Sequence, residues 1–218
     1  MKNLHNLSGE FSLLHEYVNE LRNVDFQSNR LNFRRNLERI GEIAALEISK
    51  TLPTEAVEIK TPLGVKAAKQ LAQQPVVMTI LRAGIPLFQG VLNYFDKADS
   101  GFVGAYRHHT DATEFTIKQN YFTSPNIAGR PLIVTDPMLA TGASLVSALE
   151  EMMALGTPSV VHVVCAIAAQ QGIDFFQQHF PDAVLWCADI DSSLNEKGYI
   201  IPGLGDAGDL SFGAKLQS

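Results

Sequence analysis

Asp136 and, shortly after it, Thr141-Gly142-Ala143-Ser144 set a carboxylate beside a turn of small, hydrogen-bonding residues. An ionised carboxylate accepts hydrogen bonds, and neighbouring sugar hydroxyls are natural donors to it. A helix opening at Thr141 to Ser144 would offer an anion its unpaired backbone N–H groups and the positive end of its dipole. Gly142 would let that backbone approach closely. A diol binder next to a phosphate binder is the chemistry of a sugar phosphate. The same geometry also suits a plain strand-turn-helix connection in which the Asp and Thr only cap the helix.

The flanking residues predict the elements that would hold this pair. Leu132 to Val134 is a short apolar run of the kind found in buried parallel strands, and Leu145, Val146, Ala148, Leu149, Met152 and Met153 recur at helical spacing. Asp136 would then project from the carboxyl edge of a sheet, where ligands of open α/β folds bind.

Three further segments converge on that edge. Ile80-Leu81-Arg82-Ala83-Gly84 ends an apolar strand in an arginine, with Pro86 near the start of a following helix. A guanidinium suits a diphosphate because it binds oxygens in a fork, although a surface ion pair is an equally good reading of Arg82 alone. Tyr106-Arg107 leads into His108-His109-Thr110-Asp111-Ala112-Thr113, which has the composition of an exposed loop able to act as a lid. The adjacent histidines lack a partner cluster, so no metal or acid/base role is assigned to them. Leu194 to Asp209 is dense in Gly and Pro yet carries the apolar anchors Tyr199, Ile200, Ile201 and Leu204, with Phe212 beyond, which predicts an ordered loop with exposed backbone. Backbone N–H and C=O groups of such a loop can pair with the edge of a planar pyrimidine.

Strand-like runs at Ala56–Ile59, Val76–Leu81, Gly101–Tyr106, Leu132–Thr135, Val160–Ile167 and Val184–Cys187 alternate with helical stretches, and an amphipathic helix spans Ser28 to Leu52. Its charged residues Arg34, Arg35, Glu38, Arg39 and Glu42 are expected to form a solvated face. Lys118 to Gly129 reads as loop, and composition shifts toward Gly and Asp near Asp189. At 218 residues, 46% of them hydrophobic, the chain can bury a substantial core, and its net charge of −6 argues against a general nucleic-acid binder. Cys165 and Cys187 lie in apolar runs and are expected to be buried thiols. No signal-like or membrane-length apolar run occurs, which predicts a cytoplasmic protein.

Asp136-Pro137-Met138-Leu139-Ala140-Thr141-Gly142-Ala143-Ser144 closely resembles the phosphoribosyl-diphosphate (PRPP) motif of the uracil phosphoribosyltransferases, a branch of the type I phosphoribosyltransferases in which proline replaces the usual second acidic residue. Pro137 stands at that position. Leu81-Arg82-Ala83-Gly84 is similar to the family's diphosphate-binding loop, Arg107 matches an arginine that leads into a flexible loop over PRPP, and Tyr199 to Asp209 resembles the uracil-binding segment. The chain departs from the family pattern at Ile85-Pro86-Leu87, in the residues after Arg107, and at Leu210 to Ala214.

The resemblance begins near residue 12 and spans nearly the whole chain. It implies an α/β fold with a mainly parallel sheet flanked by helices, as one domain over residues 1–218. The core would lie at about 28–188, with a small C-terminal cap at about 189–218 and a possible N-terminal contribution to it. It implies transfer of the 5-phosphoribosyl group from PRPP to uracil, giving UMP and diphosphate in pyrimidine salvage. Mg²⁺ would enter as the PRPP complex without a protein metal site of its own, and the assembly would be a homodimer or larger homo-oligomer. PRPP would be bound by Arg82, Arg107, Asp136, Pro137, Met138, Leu139, Ala140, Thr141, Gly142, Ala143, Ser144 and Asp206, with Asp136, Arg107 and Asp206 the catalytic group. Uracil would be bound by Tyr199, Ile200, Gly205, Asp206 and Ala207, with Ile200, Gly205 and Ala207 using backbone atoms. A phosphoribosyltransferase for another base, or a non-catalytic nucleotide sensor or RNA-binding regulator of the same fold, are the alternatives.

Overall fold

The computed structural model describes residues 3–111 and 114–216, and for 105–111 and 114–120 the backbone alone. Along the chain the elements are β1 (Leu4–Asn6), α1 (Leu13–Arg22), α2 (Arg30–Ser49), β2 (Thr54–Thr61), β3 (Gly64–Leu71), β4 (Val76–Leu81), α3 (Ile85–Tyr94), β5 (Asp99–Asp111), β6 (Glu114–Thr123), β7 (Pro131–Thr135), β8 (Met138–Leu139), α4 (Ala143–Met153), β9 (Val160–Ala169), α5 (Gln170–His179), β10 (Val184–Asp191), β11 (Ser193–Leu194), β12 (Ile200–Ile201) and α6 (Ala207–Phe212). An eight-stranded sheet has the order β1-β10-β9-β7-β4-β5-β6, with β8 continuing alongside β9. Every pair in it is parallel except β5 with β6.

Strand side chains alternate between the two faces of this sheet, and each face has its own set of helices. Val77, Ile133, Val164 and Trp186 pack with α1, α2 and α3, whereas Met78, Leu132, Val134, Val163 and Leu185 pack with α4 and α5. The central strands are therefore apolar at successive positions, which is why they stand out in the sequence. The expected buried thiols are found: Cys165 and Cys187 are free, buried and opposite one another on β9 and β10.

The chain moves outward from β4 to β5 on one side, and from β7 to β9 on the other. The adjacent pair β4–β7 is thus the topological switch point, with Thr79 level with Thr135. The connections leaving these two strands diverge, opening a crevice at their carboxyl ends.

Helix α2 matches the expected amphipathic helix, and Asn29 caps it by accepting from the Asn32 amide. Its charged face is not simply solvated. Arg34 donates to the Ser211 carbonyl at 2.7 Å, Arg39 lies 5.0 Å from the Tyr17 ring centroid, and Glu38 and Glu42 accept from Asn93. These groups join α2 to α6, α1 and α3, contacts that helical periodicity within α2 cannot reveal.

The loop expected from His108 is also corrected: β5 runs on through Asp111 and pairs antiparallel with β6 as far as Glu114. Lys118 to Thr123 belong to β6 rather than to a loop. Polar composition misleads there because cross-strand pairing, not an apolar run, makes these strands. The expected lid residues Ala112 and Thr113 lie outside the described residues. The edge strand read at Ala56–Ile59 is one arm of an exposed antiparallel hairpin, β2 with β3, set apart from the main sheet. No helix among the described residues is long and apolar enough to cross a membrane.

Candidate active site

Strand β7 is buried at all its positions and delivers Asp136 to the switch point. The chain does not turn at once. The Asp136 amide bonds to the Val164 carbonyl at 3.1 Å, and the Pro137 carbonyl accepts from Ala166 and Ile167. Met138–Leu139 then pairs with β9, so Asp136 and Pro137 are held as an extension of the sheet. Proline suits this position because the bonds here use its carbonyl and need no N–H.

Gly142 makes the turn into α4 with φ +83°, a left-handed conformation that glycine adopts without steric cost. The start of α4 has no side-chain cap bond. The Thr141 Oγ1 is 3.5 Å from the Ala143 amide, at the limit of hydrogen bonding. Asp136, Met138, Leu139, Ala140, Thr141, Gly142, Ser144 and Leu145 line a cavity of about 70 Å³. This volume admits a phosphate group at the end of the helix where N–H groups and the dipole favour anions.

Asp136 is half-buried and accepts from the Met138 amide at 3.3 Å. Burial pushes its carboxyl up to about 7, and the Met138 bond offsets this only in part. Among the described residues it pairs with no cation. A ligand bringing hydroxyl donors or positive charge would favour its ionised form.

Arg82 follows β4 and lies on the same sheet edge. It is 41% exposed, donating to Asp209 Oδ1 at 2.9 Å and to the Gly213 carbonyl at 3.0 Å. Ile85-Pro86, which departs from the family pattern, opens α3 with proline in its first turn, where a missing N–H costs nothing.

The segment after β10 folds back across these elements. Ser193–Leu194 pairs with Ile200–Ile201, and Asn195 closes the turn by accepting from the Lys197 and Tyr199 amides. A side chain at Gly198 would meet Thr141 Cγ2 at 3.5 Å, and one at Gly208 would meet Arg82 Nη2 at 3.9 Å. The loop therefore lies over both the phosphate-sized cavity and the arginine. Ile200, Leu204 and Ala207 are buried, while Tyr199 is exposed. Asp206 caps α6 by accepting from the Asp209 amide at 3.0 Å, and its other oxygen is 3.5 Å from Lys215.

Of the residues singled out from sequence, Asp136 to Ser144, Arg82 and Tyr199 to Ala207 are thus brought to one sheet edge. Arg107 sits in β5 opposite Ile117, and its side chain lies outside the described residues. Sequence reading missed Asp209, the partner of Arg82, and Arg22, which holds the end of β10 and Gly203. Arg22 offered only the signal of a basic residue in the last turn of α1. No group of three His, Cys, Asp or Glu residues able to hold a metal occurs among the described residues. The Asp136 carboxylate offers oxygen donors of the kind that Mg²⁺ takes.

The uracil phosphoribosyltransferase family model matches residues 11–214. The chain is 45% identical over 211 residues to uracil phosphoribosyltransferase of Porphyromonas gingivalis, covering 96% of this chain and 98% of that protein. It is 41% identical over 211 residues to uracil phosphoribosyltransferase of Thermococcus sibiricus, covering 94% and 88%. Among solved structures, the AQ2163 protein of Aquifex aeolicus superposes with TM-score 0.86 at 31% identity over 98% of this chain and 99% of its own. A hypoxanthine phosphoribosyltransferase of Staphylococcus aureus, with TM-score 0.50 and 12% identity over 74% of this chain and 76% of its own, shares the fold alone.

Proposed function

This chain belongs to the uracil phosphoribosyltransferase family, and from that premise we propose how its residues divide the work. The reaction is transfer of the 5-phosphoribosyl group from PRPP to uracil, giving UMP and diphosphate, the uracil-salvaging step of pyrimidine metabolism. The observation that carries the assignment of roles is the meeting at one edge of Asp136, the cavity at Thr141 to Ser144, Arg82 and the 195–207 loop.

The bond from the ribose anomeric carbon to diphosphate breaks while a bond to a uracil ring nitrogen forms, and the proton on that nitrogen is released, with the departing diphosphate able to take it. Positive charge develops on the sugar and negative charge on the leaving group. Orientation and preorganised charges therefore lower the barrier more than a covalent nucleophile would. The α4 N-terminus, with Thr141, Gly142, Ala143 and Ser144, holds the 5-phosphate. Asp136 orients the ribose hydroxyls, and Pro137, Met138, Leu139 and Ala140 form the wall between the two. Arg82 and Arg107 neutralise diphosphate, and Asp206 contacts PRPP from the loop. When bound with PRPP, Mg²⁺ would supply further neutralisation of the diphosphate, in addition to that from Arg82 and Arg107.

Tyr199, Ile200, Gly205, Asp206 and Ala207 hold uracil, with the backbone of Ile200, Gly205 and Ala207 reading its edge. Cytosine presents an amino group and an unprotonated ring nitrogen to the same donors and acceptors, a mismatch worth about 10⁴-fold or more. Residues 189–218 act as a cap on a core of 28–188. The exposed β2–β3 hairpin supports a homo-oligomer in which a second copy covers it.

The test is a panel of uracil, cytosine, hypoxanthine and orotate with PRPP and Mg²⁺, following base consumption and diphosphate release. Uracil alone is expected to be turned over efficiently. Preference for hypoxanthine or orotate would overturn the base assignment, and consumption of no base would mark a non-catalytic member of the fold.

A further inference from the structure

Arg22, at the end of α1, lies far in sequence from every residue given a role above. Its two terminal nitrogens grip the Asp191 carboxylate in a fork, at 2.8 and 2.9 Å. One of them also reaches Asp189 Oδ2 at 2.8 Å, and the other donates to the Gly203 carbonyl at 2.9 Å. Asp191 in turn accepts from the Gly203 amide at 3.0 Å. Both backbone groups of Gly203 are thus taken by one ion pair. The pair is well shielded, with side-chain exposures of 17% for Arg22 and 7% for Asp191.

Gly203 stands between Ile200 and Gly205, whose backbone reads the base. It has φ +58°, and a side chain there would collide with the Ile200 carbonyl. The turn is therefore tight, and its placement passes directly to the neighbouring peptide groups. Leu14, Val18 and Leu21 seat α1 in the core, and Gln27 donates through its amide nitrogen to the two last carbonyls of the helix, those of Leu21 and Arg22. The guanidinium is thus presented from a fixed base. A loop that recognises its ligand through backbone cannot compensate for displacement by changing rotamers, and errors of about 1 Å at a reacting site can cost about 10²-fold.

We infer that the Arg22–Asp191 pair is a positioning device for base recognition, and that the N-terminal helix belongs to the uracil site through it. This rests on the assignment of the 199–207 loop to uracil. Lysine cannot replace the fork, because its single ammonium lacks the two coplanar donors that meet both carboxylate oxygens and the Gly203 carbonyl together.

The experiment compares wild type, Arg22→Gln, Arg22→Lys and Asp191→Asn in initial-rate kinetics with each substrate varied, alongside hydrogen exchange of the 200–205 amides. Arg22→Gln is expected to raise KM for uracil about tenfold or more while KM for PRPP stays within about twofold, a split that general destabilisation would not produce. Arg22→Lys should fall between it and wild type. Asp191→Asn keeps an acceptor for the Gly203 amide but loses the charge, and should show a smaller shift in the same direction. Exchange at 200–205 should quicken in these variants while exchange in β7 and β9 is unchanged.

An active wild type whose Arg22→Gln variant raises both KM values together, raises neither, or leaves loop exchange unaltered would overturn the inference alone. A wild type that consumes no uracil would overturn the base assignment and this inference with it.

Discussion

Arg82 and Asp209 form an ion pair of 2.9 Å that joins the end of β4 to α6, across 127 residues of sequence. Both partners are substantially exposed, and a pair of that kind contributes only about 0–1 kcal/mol. Charge-assisted bonds to a phosphate oxygen are worth about 1.5–3 kcal/mol, so diphosphate can take Arg82 from Asp209 at little cost. We expect Arg82→Ala to lower kcat/KM for PRPP by about 10- to 100-fold, and Asp209→Asn to change it by less than about fivefold. Steady-state kinetics with PRPP varied will distinguish them, and equal losses would place the function in the pair rather than in the arginine.

Asp136 carries its own pH signature. Burial raises its folded carboxyl to about 7 from an ordinary 3.8, so between those values the native state binds more protons than the unfolded chain. Its contribution to stability is therefore full at low pH and is lost as pH rises through about 7. Asp136→Asn removes that penalty. It should stabilise the fold relative to wild type at pH 8, by on the order of 2 kcal/mol after discounting for partial exposure, seen as a higher Tm, and should change Tm little at pH 4. The same variant should lose kcat/KM for PRPP and the pH dependence near 7. A wild-type profile that does not rise toward pH 7 would remove the role given to ionised Asp136.

Gly142 tests the phosphate turn. Alanine there would be held at φ +83° with its Cβ only 3.0 Å from the Gly172 carbonyl oxygen and from Phe175 Cδ1. The left-handed conformation costs about 1–2 kcal/mol. Gly142→Ala is expected to lose about that much stability in urea unfolding, and to raise KM for PRPP with little effect on KM for uracil.

His162 should make the fold acid-labile. Its Nδ1 accepts from Trp186 Nε1 at 3.1 Å, and its Nε2 is buried without a hydrogen-bond partner among the described residues. Burial, aided by nearby His5, lowers its folded value to about 4 from 6.5. In that window the unfolded chain binds more protons, so stability falls as pH drops from 6.5 toward 4, by up to about 3 kcal/mol. His162→Gln keeps an acceptor for Trp186 and should flatten this part of the Tm-against-pH curve.

The β2–β3 hairpin gives a prediction about assembly. Ile59, Leu63 and Val65 are 46%, 100% and 66% exposed, and an isolated two-stranded hairpin is marginally stable in water. Replacing residues 56–69 by a short turn is expected to shift sedimentation velocity from oligomer to monomer. A monomeric wild type would refute the covering role of a second copy.

Residues 132–144 were legible in the sequence because their signals are local: an apolar run, a carboxylate at its end, a glycine turn and a helix with its own periodicity, although the pairing of Met138–Leu139 with β9 was not among them. The same holds for α2 and for the anchors of the 199–207 loop. The resemblance to uracil phosphoribosyltransferases rests likewise on contiguous segments, Asp136 to Ser144, Leu81 to Gly84, Tyr106-Arg107 and Tyr199 to Asp209. What only the tertiary structure decided was which distant segments meet. β1 pairs with β10, the polar residues after Arg107 form a hairpin strand, and Arg22 reaches Asp191 and Gly203 across 169 and 181 residues. Such pairings leave no periodic trace, because a single charged side chain looks the same in sequence whether it faces water or grips a carboxylate. Sheet order and helix packing fix the choice by bringing those groups within hydrogen-bonding distance.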